Sequence, residues 1–444
     1  MNYTELTEKL VKRCLALGAD AAEVYLETRR DLSINILNSE IETIEQASTQ
    51  GIGFRVFAGG KMGFSHCNEF SDKSLENTIS RAVAFARLST PDENNVLTDD
   101  KSITRVSNLF DQGISAQPMD KKIKMAMDLE KLAMGVKGIT KSAGSGYGEG
   151  EAEIFIANSN GILKNYKASG CSVGVSVVAE KGEQKNTGGE YCSRVFFSDL
   201  LPLEEIAKVA SGKALELLDP VMIKTQRASV IFDPDVSRAL LGGIISAING
   251  ERVLQGASFL KNHLNKQFAS SLLTIVDDGT LPGKTGSSPF DGEGVPVTRN
   301  VLVENGVLKS FIYNVKAAKR AGVRSTGNAS RGGFSSLPGI GTNNAFVLAG
   351  KSAPADIIAA TKKGLLLKEV TGYGIDPVTG NFSGGASGLW IENGEIAHPV
   401  KGVTIAGKAF DILNAIDMMG NDLDMNRTNS SPTFRVADIQ IGGK

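Results

Sequence analysis

Apolar side chains recur at helical spacing over residues 4–18 and at strand spacing directly afterwards. Thr4 or Thr7 is the predicted N-cap of this first helix, and Gly18 is its predicted end. Beyond the helix, apolar residues stand at every second position or in short runs, which is typical of strands. The predicted strands are 22–27, 32–37 and 51–57, and Gly59-Gly60 turns the last of them back toward 62–64.

A second helix completes this N-terminal unit. Ser71 and Asp72 are predicted to cap it, and its apolar positions lie within 73–88. The polar stretch 89–95 that follows contains proline and asparagine, which is typical of a linker. We therefore predict that residues 1–100 form one helix-sheet-helix domain.

Residues 101–225 also contain both helical and strand patterns of apolar residues. Asp120 is the predicted cap of a helix, and residues 203–218 have the pattern of another helix that Asp219-Pro220 ends. The strands predicted between these helices are 153–157, 162–166 and 172–180, with a hairpin turn at 158–161 that ends in glycine. We predict a second α+β domain over residues 101–225.

One run in this second region resembles a run in the first. Residues 170–177, with the glycines that follow them, have nearly the layout of 51–57 and its following glycines. The likeness indicates either an old duplication or a chance recurrence of glycine-bounded strands. The sequence alone leaves both open.

From about residue 226 the chain is rich in glycine and in hairpin signals. Asn305-Gly306 and Asn393-Gly394 each stand between apolar strands, which favours type I′ turns because both central residues need a positive φ. We predict that the two hairpins belong to one antiparallel sheet. Helical patterns at 356–366 and 409–419 are predicted to cover that sheet, so residues 226–444 form a β-rich domain and the whole chain is α+β.

The composition of the chain limits the kinds of molecule that it is expected to bind and the compartment in which it is expected to work. The 444 residues carry 48 basic and 49 acidic side chains, a net charge of −1, so no charge excess favours nucleic acid or an anionic membrane. No apolar run approaches the roughly 18 residues that a membrane span needs. The first residues are amphipathic where a signal peptide would be apolar, and the four cysteines form no CxxC pair, which suits a reducing compartment. We expect a cytoplasmic protein.

The helix predicted after 231–236 contains no residue able to bind a metal. Its polar side chains are Ser237, Arg238 and Ser246, and none of the three histidines of the chain, His66, His263 and His398, lies on it. A catalytic zinc needs three protein ligands and an open position. His66 stands beside Cys67 but lacks a third ligand. We predict no metal site and no catalytic residue in this chain.

Two acidic or glycine-rich loops have alternative interpretations. The acids Asp277, Asp278, Asp291 and Glu293 could hold a hard cation through oxygen atoms, although turn acids more often bond their own backbone. Gly283-Lys284-Thr285 lacks the spacing of a phosphate loop, and Gly384 to Gly388 lacks the spacing of a serine-nucleophile elbow.

Glycine- and serine-rich loops could instead line a groove for an extended peptide, or could be plain connections. The candidate groove residues are Arg331, Asn343, Asn344, Ser383 and Ser387.

Seven blocks in one order resemble the TldD/PmbA family, and within it the PmbA branch, also called TldE. The blocks are Phe232-Asp233-Pro234-Asp235-Val236, Ser258-Phe259-Leu260, 277–283, 290–294, Thr342-Asn343-Asn344, 384–394 and Gly420-Asn421-Asp422-Leu423. The resemblance implies a zinc metallopeptidase that works in the cytosol as a TldD/TldE heterodimer, a type once named modulator of DNA gyrase. In the TldD partner, an HExxxH helix and a cysteine after the GND segment supply the chemistry. Here the matching helix, 236–248, has no histidine or glutamate, and 423–429 has no cysteine.

These observations favour a PmbA/TldE-like subunit that shapes the channel for unfolded peptide, with no cofactor of its own and zinc in a TldD-like partner. Two other hypotheses remain: a homo-oligomeric peptide-binding or scaffold protein without activity, and a hydrolase with unrecognised chemistry. Neither involves nucleic acid or a membrane.

Overall fold

The computed structural model describes residues 2–427 and 429–444, and its class is α+β, as predicted. The helices are α1 Tyr3–Ala16, α2 Asp72–Leu88, α3 Met119–Met134, α4 Leu203–Leu215, α5 Pro234–Ala247, α6 Gly250–Leu254, α7 Val315–Ala321, α8 Pro354–Ala359 and α9 Ala409–Asn414. The strands of the first half are β1 Ala21–Leu37, β2 Glu40–Ala58, β3 Lys61–Cys67, β4 Ile139–Asn158, β5 Leu163–Lys181 and β6 Gln184–Arg194. The later strands are β7 Gln226–Phe232, β8 Ile275–Asp278, β9 Arg299–Glu304, β10 Val307–Leu308, β11 Ala329–Ser330, β12 Gly339–Ile340, β13 Ala345–Val347, β14 Lys363–Ile375, β15 Asn381–Glu392, β16 Glu395–Lys408, β17 Ile416–Met419 and β18 Phe434–Gly442. In the described ranges, no helix is long and apolar enough to span a membrane.

The first six strands form one antiparallel sheet in the order β3-β2-β1-β4-β5-β6, which we name the N-terminal sheet. Each half of it has the element order helix, three strands, helix: α1 to α2 in one half and α3 to α4 in the other. The similar runs 51–57 and 170–177 lie on β2 and β5, the middle strands of the two halves. The repeated topology favours the duplication over chance. The predicted domain boundary near residue 100 stays a prediction, although the sheet continues across it through the β1–β4 pair.

The two halves also share a close contact between the last strand and the last helix. A Cβ atom on Gly63 of β3 would lie 2.0 Å from the carbonyl oxygen of Ala82, and one on Gly188 of β6 would lie 2.3 Å from that of Ala210. Both contacts are with helix backbone, which cannot move aside alone. Glycine at these positions therefore lets each helix pack directly on its strand.

We expect Gly63→Ala and Gly188→Ala each to lower the free energy of unfolding by about 1–3 kcal/mol, the usual cost of overpacking. Gly170→Ala is the matched control, because a Cβ there would meet only the Arg194 carbonyl oxygen, at an ordinary 3.6 Å. Urea unfolding of the three variants measures the difference. Equal midpoints for all three would contradict the contact.

Several predicted boundaries in the first half are wrong. Asn2 caps α1 in place of Thr4 or Thr7, since its side chain accepts the Glu5 N–H at 3.3 Å. Pro118 precedes α3, and Asp120 lies inside the first turn. The strands predicted at 22–27 and 32–37 are one 17-residue strand, β1. Its exposed middle lacks the apolar pattern, but pairing with β2 and β4 keeps it extended.

The Asn-Gly turns are confirmed, but the prediction that both hairpins share one sheet is wrong. The residues have φ values of 47° and 79° at Asn305-Gly306, and 53° and 83° at Asn393-Gly394. The first turn joins β9 to β10 in a four-stranded sheet, while the second joins β15 to β16 in a six-stranded one. Turn chemistry is local, whereas the choice of sheet depends on distant strands.

The six-stranded sheet of the second half, which we name the C-terminal sheet, has the order β16-β15-β14-β7-β18-β17. Its neighbours are antiparallel except β7 and β14, which run parallel. The helices predicted at 356–366 and 409–419 are wrong in their second halves: α8 ends at Ala359 before strand β14, and α9 ends at Asn414 before strand β17. Short apolar runs such as 365–367 fit a helix or a buried strand equally well, and here pairing decides.

Candidate functional site

Helix α5 begins at a tightly bonded N-cap, Asp233. The Asp233 carboxylate accepts the Asp235 N–H at 2.9 Å and also contacts Lys368 Nζ at 3.1 Å. Pro234 occupies the first turn, where its missing N–H costs nothing. Further along, a Cβ on Gly243 would lie 2.8 Å from Ile375 Cβ, so α5 lies directly against the end of β14.

The segment after the Gly420-Asn421-Asp422 block folds back onto this helix. Asp422 accepts the N–H and the hydroxyl of Thr433 at 2.9 and 2.7 Å, which closes the loop at its base. The Ser237 hydroxyl of α5 lies 3.5 Å from the Ser431 carbonyl oxygen. The loop thereby holds Arg427 beside the first turn of α5.

Five charged side chains meet at this place, and we name them the α5 charge cluster: Glu190, Lys213, Asp235, Arg238 and Arg427. Lys213 Nζ contacts the Glu190 and Asp235 carboxylates at 2.7 and 2.6 Å. Arg427 bonds Glu190, and its guanidinium also lies 3.7 Å from Asp235. Arg238 lies 3.5 Å from the same Asp235. Three cations thus surround two carboxylates.

The electrostatics of the α5 charge cluster keep Asp235 and Lys213 ionised. Burial raises the pKa of Asp235, but the hydrogen bond from Lys213 and the charges of Arg427 and Arg238 outweigh burial and lower the pKa below its ordinary value. Burial lowers the pKa of Lys213, and its bonds to Asp235 and Glu190 outweigh that effect, so the net shift is upward. Both groups are therefore charged at neutral pH.

The donor set around α5 does not fit zinc. Such an ion takes nitrogen, sulfur or carboxylate ligands and needs three of them from the protein. The polar side chains of α5 are Asp235, Ser237, Arg238 and Ser246, so the helix supplies one possible zinc ligand, Asp235. The Asp235 and Glu190 carboxylates already contact lysine and arginine, whose charge repels a divalent ion. Within residues 2–427 and 429–444, no group of three histidine, cysteine or acidic side chains is placed so that it could hold a metal ion.

The acids considered for a hard cation bond protein groups instead. Asp278 accepts the Thr280 N–H and hydroxyl at 2.9 and 2.6 Å, and Asp291 accepts the Glu293 N–H at 2.9 Å. These two are turn acids that bond their own backbone, the commoner alternative. Asp277 is fully buried and accepts the Asn328 side-chain amide at 2.7 Å.

Arg331, a candidate groove residue, lies inside the protein. We name it, together with Glu23, Arg55 and Glu293, the junction cluster, because it joins the N-terminal sheet to the following region. Arg55 contacts Glu23 and Glu293 at 2.7 Å each, and Arg331 bonds Glu23. Each of the four side chains is at most 7% exposed. Arg331 also lies over the Tyr25 ring, 4.7 Å from its centroid.

Asp291 lies next to the junction cluster and is fully buried. Burial, helped by the charge of Glu293, raises the pKa of Asp291 to about 7. Since the unfolded chain has an Asp pKa near 3.9, the folded protein binds more protons between about pH 4 and 7. The contribution of Asp291 to stability is therefore complete below pH 4 and is lost as the pH rises to 7.

The test compares the free energy of unfolding of Asp291→Asn with that of the unchanged protein at each pH. Because asparagine does not titrate, we expect this difference to shift in favour of the variant by up to about 4 kcal/mol between pH 4 and pH 7.5. Urea unfolding at half-unit steps of pH gives this difference. Other carboxylates titrate in both proteins and cancel. Parallel stability curves for the two proteins would contradict the assignment.

The other candidate groove residues lie in two places. Asn343 donates to Asp277 at 3.2 Å, and Asn344 donates to the Asp278 carbonyl oxygen at 2.7 Å, so both amides bond within the protein. Ser383 and Ser387 lie on β15 with their side chains on its less buried side, and Ser383 is exposed. Arg331 follows strand β11, so it lies on a different element from the two serines of β15.

The histidines lie on separate elements: His66 is exposed on β3, His263 lies beside the Phe410 ring with centroids 4.9 Å apart, and His398 lies on β16. Sequence reasoning missed Glu190, Lys213 and Arg427 as members of one cluster. They stand on β6, on α4 and in the loop before β18, and no short-range pattern links such distant positions.

Comparisons with known proteins agree with this architecture. Three models of PmbA/TldA metallopeptidase domains match the chain: domain 1 at residues 22–86, the central domain at 113–218 and the C-terminal domain at 225–443. The metalloprotease PmbA of Escherichia coli O157:H7 is 28% identical over 445 residues, covering 99% of this chain and 97% of that protein.

Two further relatives extend the likeness to the other branch and to solved structures. The metalloprotease TldD homolog of Buchnera aphidicola is 27% identical, covering 96% of this chain and 93% of that protein. A crystal structure from Bacteroides thetaiotaomicron, described as a modulator of DNA gyrase, is 27% identical with a TM-score of 0.91 and covers 99% of this chain and 98% of that one. This chain belongs to the PmbA/TldD metallopeptidase family.

Proposed function

We propose that this chain is the subunit of a cytosolic PmbA/TldD-type peptidase that does not hold the metal. A TldD-like partner supplies the zinc and the residues that activate water, and this chain supplies part of the channel that receives unfolded peptide. The α5 charge cluster carries the proposal. Lys213, Arg238 and Arg427 surround Asp235 at the start of α5, the helix that the resemblance matches to the metal-binding helix of the partner branch.

The physical argument is that a zinc centre and the α5 charge cluster exclude each other. Removing the charges of both Lys213 and Arg427 would leave the buried Glu190 carboxylate without a cation, and adding an ion beside the three cations would meet repulsion. The helix packs closely enough at Gly243 that a longer ligand side chain at that position would strike Ile375. A metal site here would therefore need a different packing of α5 against β14 as well as new ligand side chains.

The proposed contribution of this chain to substrate binding is backbone pairing and shape. An extended peptide gains affinity from main-chain hydrogen bonds without a sequence preference. Of the candidate groove residues, Ser383 on β15 is exposed, and Ser387 on the same side of that strand is half-buried. Arg331, Asn343 and Asn344 already bond inside the protein, so in this proposal they hold the groove's supporting loops.

The proposal is tested by zinc content and by peptide cleavage. The purified full-length chain, a TldD-like partner and their mixture are each assayed for bound zinc and for cleavage of an unstructured peptide. We expect less than about 0.1 zinc per copy of this chain, no cleavage by it alone, and cleavage by the mixture, given that a catalytic zinc needs three protein ligands. A partner with its HExxxH glutamate replaced by glutamine is the control for the mixture.

Two outcomes would go against the proposal. One zinc retained per chain together with cleavage in the absence of a partner would make this chain a peptidase in its own right. A mixture that binds peptide but never cleaves it would favour the peptide-binding or scaffold alternative.

A further inference from the structure

A polar cleft lies on the helix-bearing face of the N-terminal sheet, between its two pairs of helices. On β1, Leu26 packs in the core under α1 and α2, and Leu32 packs in the core under α3 and α4. Alternate residues of a strand point to the same face, so Thr28 and Arg30 stand on this face between the two cores. They line a cavity of about 610 Å³, which we name the interhelix cleft.

Side chains from three neighbouring strands meet on the floor of the interhelix cleft. Arg30 lies opposite Ser48 of β2 on one side and opposite Glu151 of β4 on the other, and all three line the cleft. Directly opposite residues point to the same face of a sheet, and adjacent strands lie about 5 Å apart. A cation and an acid therefore stand side by side in the middle of the cleft.

Neither of these two charges is neutralised, although the residues are neighbours. The Oε1 atom of the Glu151 carboxylate is buried and accepts no hydrogen bond from the described residues. Arg30 is exposed, and none of the ion pairs between described residues includes either side chain. A buried carboxylate oxygen without a donor is costly, so Glu151 would gain from a ligand that donates a hydrogen bond to it.

The other charged side chains of the interhelix cleft are already paired. Lys167 Nζ lies 3.5 Å from the Glu153 carboxylate, and Arg29 contacts Asp31 at 2.7 Å. These pairs leave one acid and one cation of the cleft available. A single ligand that satisfies both carries a positive and a negative group.

The walls of the interhelix cleft are held in place by hydrogen bonds. The Tyr3 hydroxyl of α1 donates to the Gln50 side chain at 3.2 Å. The segment before α3 that carries Phe110 is fixed to β5, because the Asp111 N–H donates to the Ser169 hydroxyl at 2.8 Å. Tyr3, Gln50 and Phe110 all line the cleft. A site that is formed in advance loses little conformational entropy when a ligand binds.

We propose that the interhelix cleft binds a small zwitterion, a dipeptide or a free α-amino acid. The ammonium group of the ligand donates to the Glu151 carboxylate, and its carboxylate accepts from the Arg30 guanidinium, whose fork matches a carboxylate. The two side chains start from strands about 5 Å apart, and an extended dipeptide spans about 7 Å, so the charged ends of so short a ligand can reach both. The proposal goes beyond the proposed function, because it needs neither zinc nor a partner.

Calorimetric titration of the full-length chain with dialanine, and separately with alanine, tests the proposal. We expect saturable binding of at least one of them, and the tighter of the two shows the preferred length. Two blocked forms of that ligand follow: the N-acetylated form lacks the ammonium group, and the amidated form lacks the carboxylate. Each should bind about tenfold more weakly, because one charge-assisted hydrogen bond is lost.

Charge variants assign the two ends of the ligand. Glu151→Gln should weaken binding of the zwitterion about tenfold but leave binding of the N-acetylated form unchanged, and Arg30→Gln should do the same with respect to the amidated form. Glu42→Gln and Arg105→Gln are the matched controls, since both side chains are exposed and neither lines the interhelix cleft. Circular dichroism checks that each variant is folded.

The proposal would be overturned by no saturable binding of dialanine or alanine, by equal binding of the blocked forms, or by binding that neither variant changes. In the first case, Arg30 and Glu151 would serve only to pair with each other. None of these measurements involves zinc, a partner or peptide cleavage, so their failure is distinct from failure of the proposed function.

Discussion

Arg55→Ala is expected to lower the free energy of unfolding by about 3–5 kcal/mol, because breaking a buried ion pair leaves uncompensated charges behind. Arg55 is the only described side chain that bonds both Glu23 and Glu293, each 1% exposed. Without it, Glu23 keeps Arg331, but Glu293 keeps only the backbone N–H of Val315. Urea unfolding followed by circular dichroism measures the loss.

The control for this prediction is Arg29→Ala on the neighbouring strand. Arg29 pairs with Asp31 at 2.7 Å, but the two side chains are 53% and 37% exposed. We expect a loss below about 1 kcal/mol there, as for other exposed pairs. A second check is the double variant Arg55→Ala with Glu293→Ala, which should cost less than the sum of the two single variants. Additive losses, or equal losses for Arg55 and Arg29, would show that the junction cluster is not coupled.

Phe232→Ala is the second large prediction, with an expected loss of about 3–5 kcal/mol in the free energy of unfolding. Phe232 ends β7, is fully buried and stacks on Phe434 with ring centroids 5.0 Å apart. It directly precedes the Asp233 cap of α5, so the cavity would lie beneath the start of that helix. Thermal and urea unfolding measure the effect.

Phe85→Ala serves as its control, because that ring on α2 is 51% exposed and its loss leaves no closed cavity. We expect the control to change the free energy of unfolding by less than about 1 kcal/mol, as surface substitutions usually do. If the two phenylalanine variants unfold alike, the core under β7 and β18 is not packed as described.

Some local signals in the chain predicted local structure correctly. The Ser71 cap of α2 and the two Asn-Gly turns are present, because each depends on residues within three or four positions of one another. The predicted caps of α1 and α3 are wrong, although they too depend on nearby residues. Predictions that needed distant partners did less well. The two hairpins lie in different sheets, and the apolar run 365–367 is a strand because β7 and β15 pair with it.

The candidate site divides in the same way. The shortage of zinc ligands on α5, which has Asp235 but no histidine, cysteine or glutamate, follows directly from the identity of its residues, and so does the family resemblance. The charges that stand there instead could not be predicted, because Glu190, Lys213 and Arg427 come from three elements far apart in the chain. Arg331 stands in a glycine- and serine-rich stretch that is typical of a loop, yet folding buries its side chain against Glu23.

The amino-acid sequence by itself determined the α+β class, the turn types, the Ser71 cap of α2 and the absence of histidine, cysteine and glutamate from α5. Only the tertiary structure decided which strands share a sheet, which acids are neutralised by which cations, and that residues 40–50 of β2 pair on one edge only within the described part of the chain. The physical reason is range. Backbone preferences and caps act over a few residues, whereas pairing, burial and electrostatic contacts depend on which distant segments the fold brings within a few ångströms.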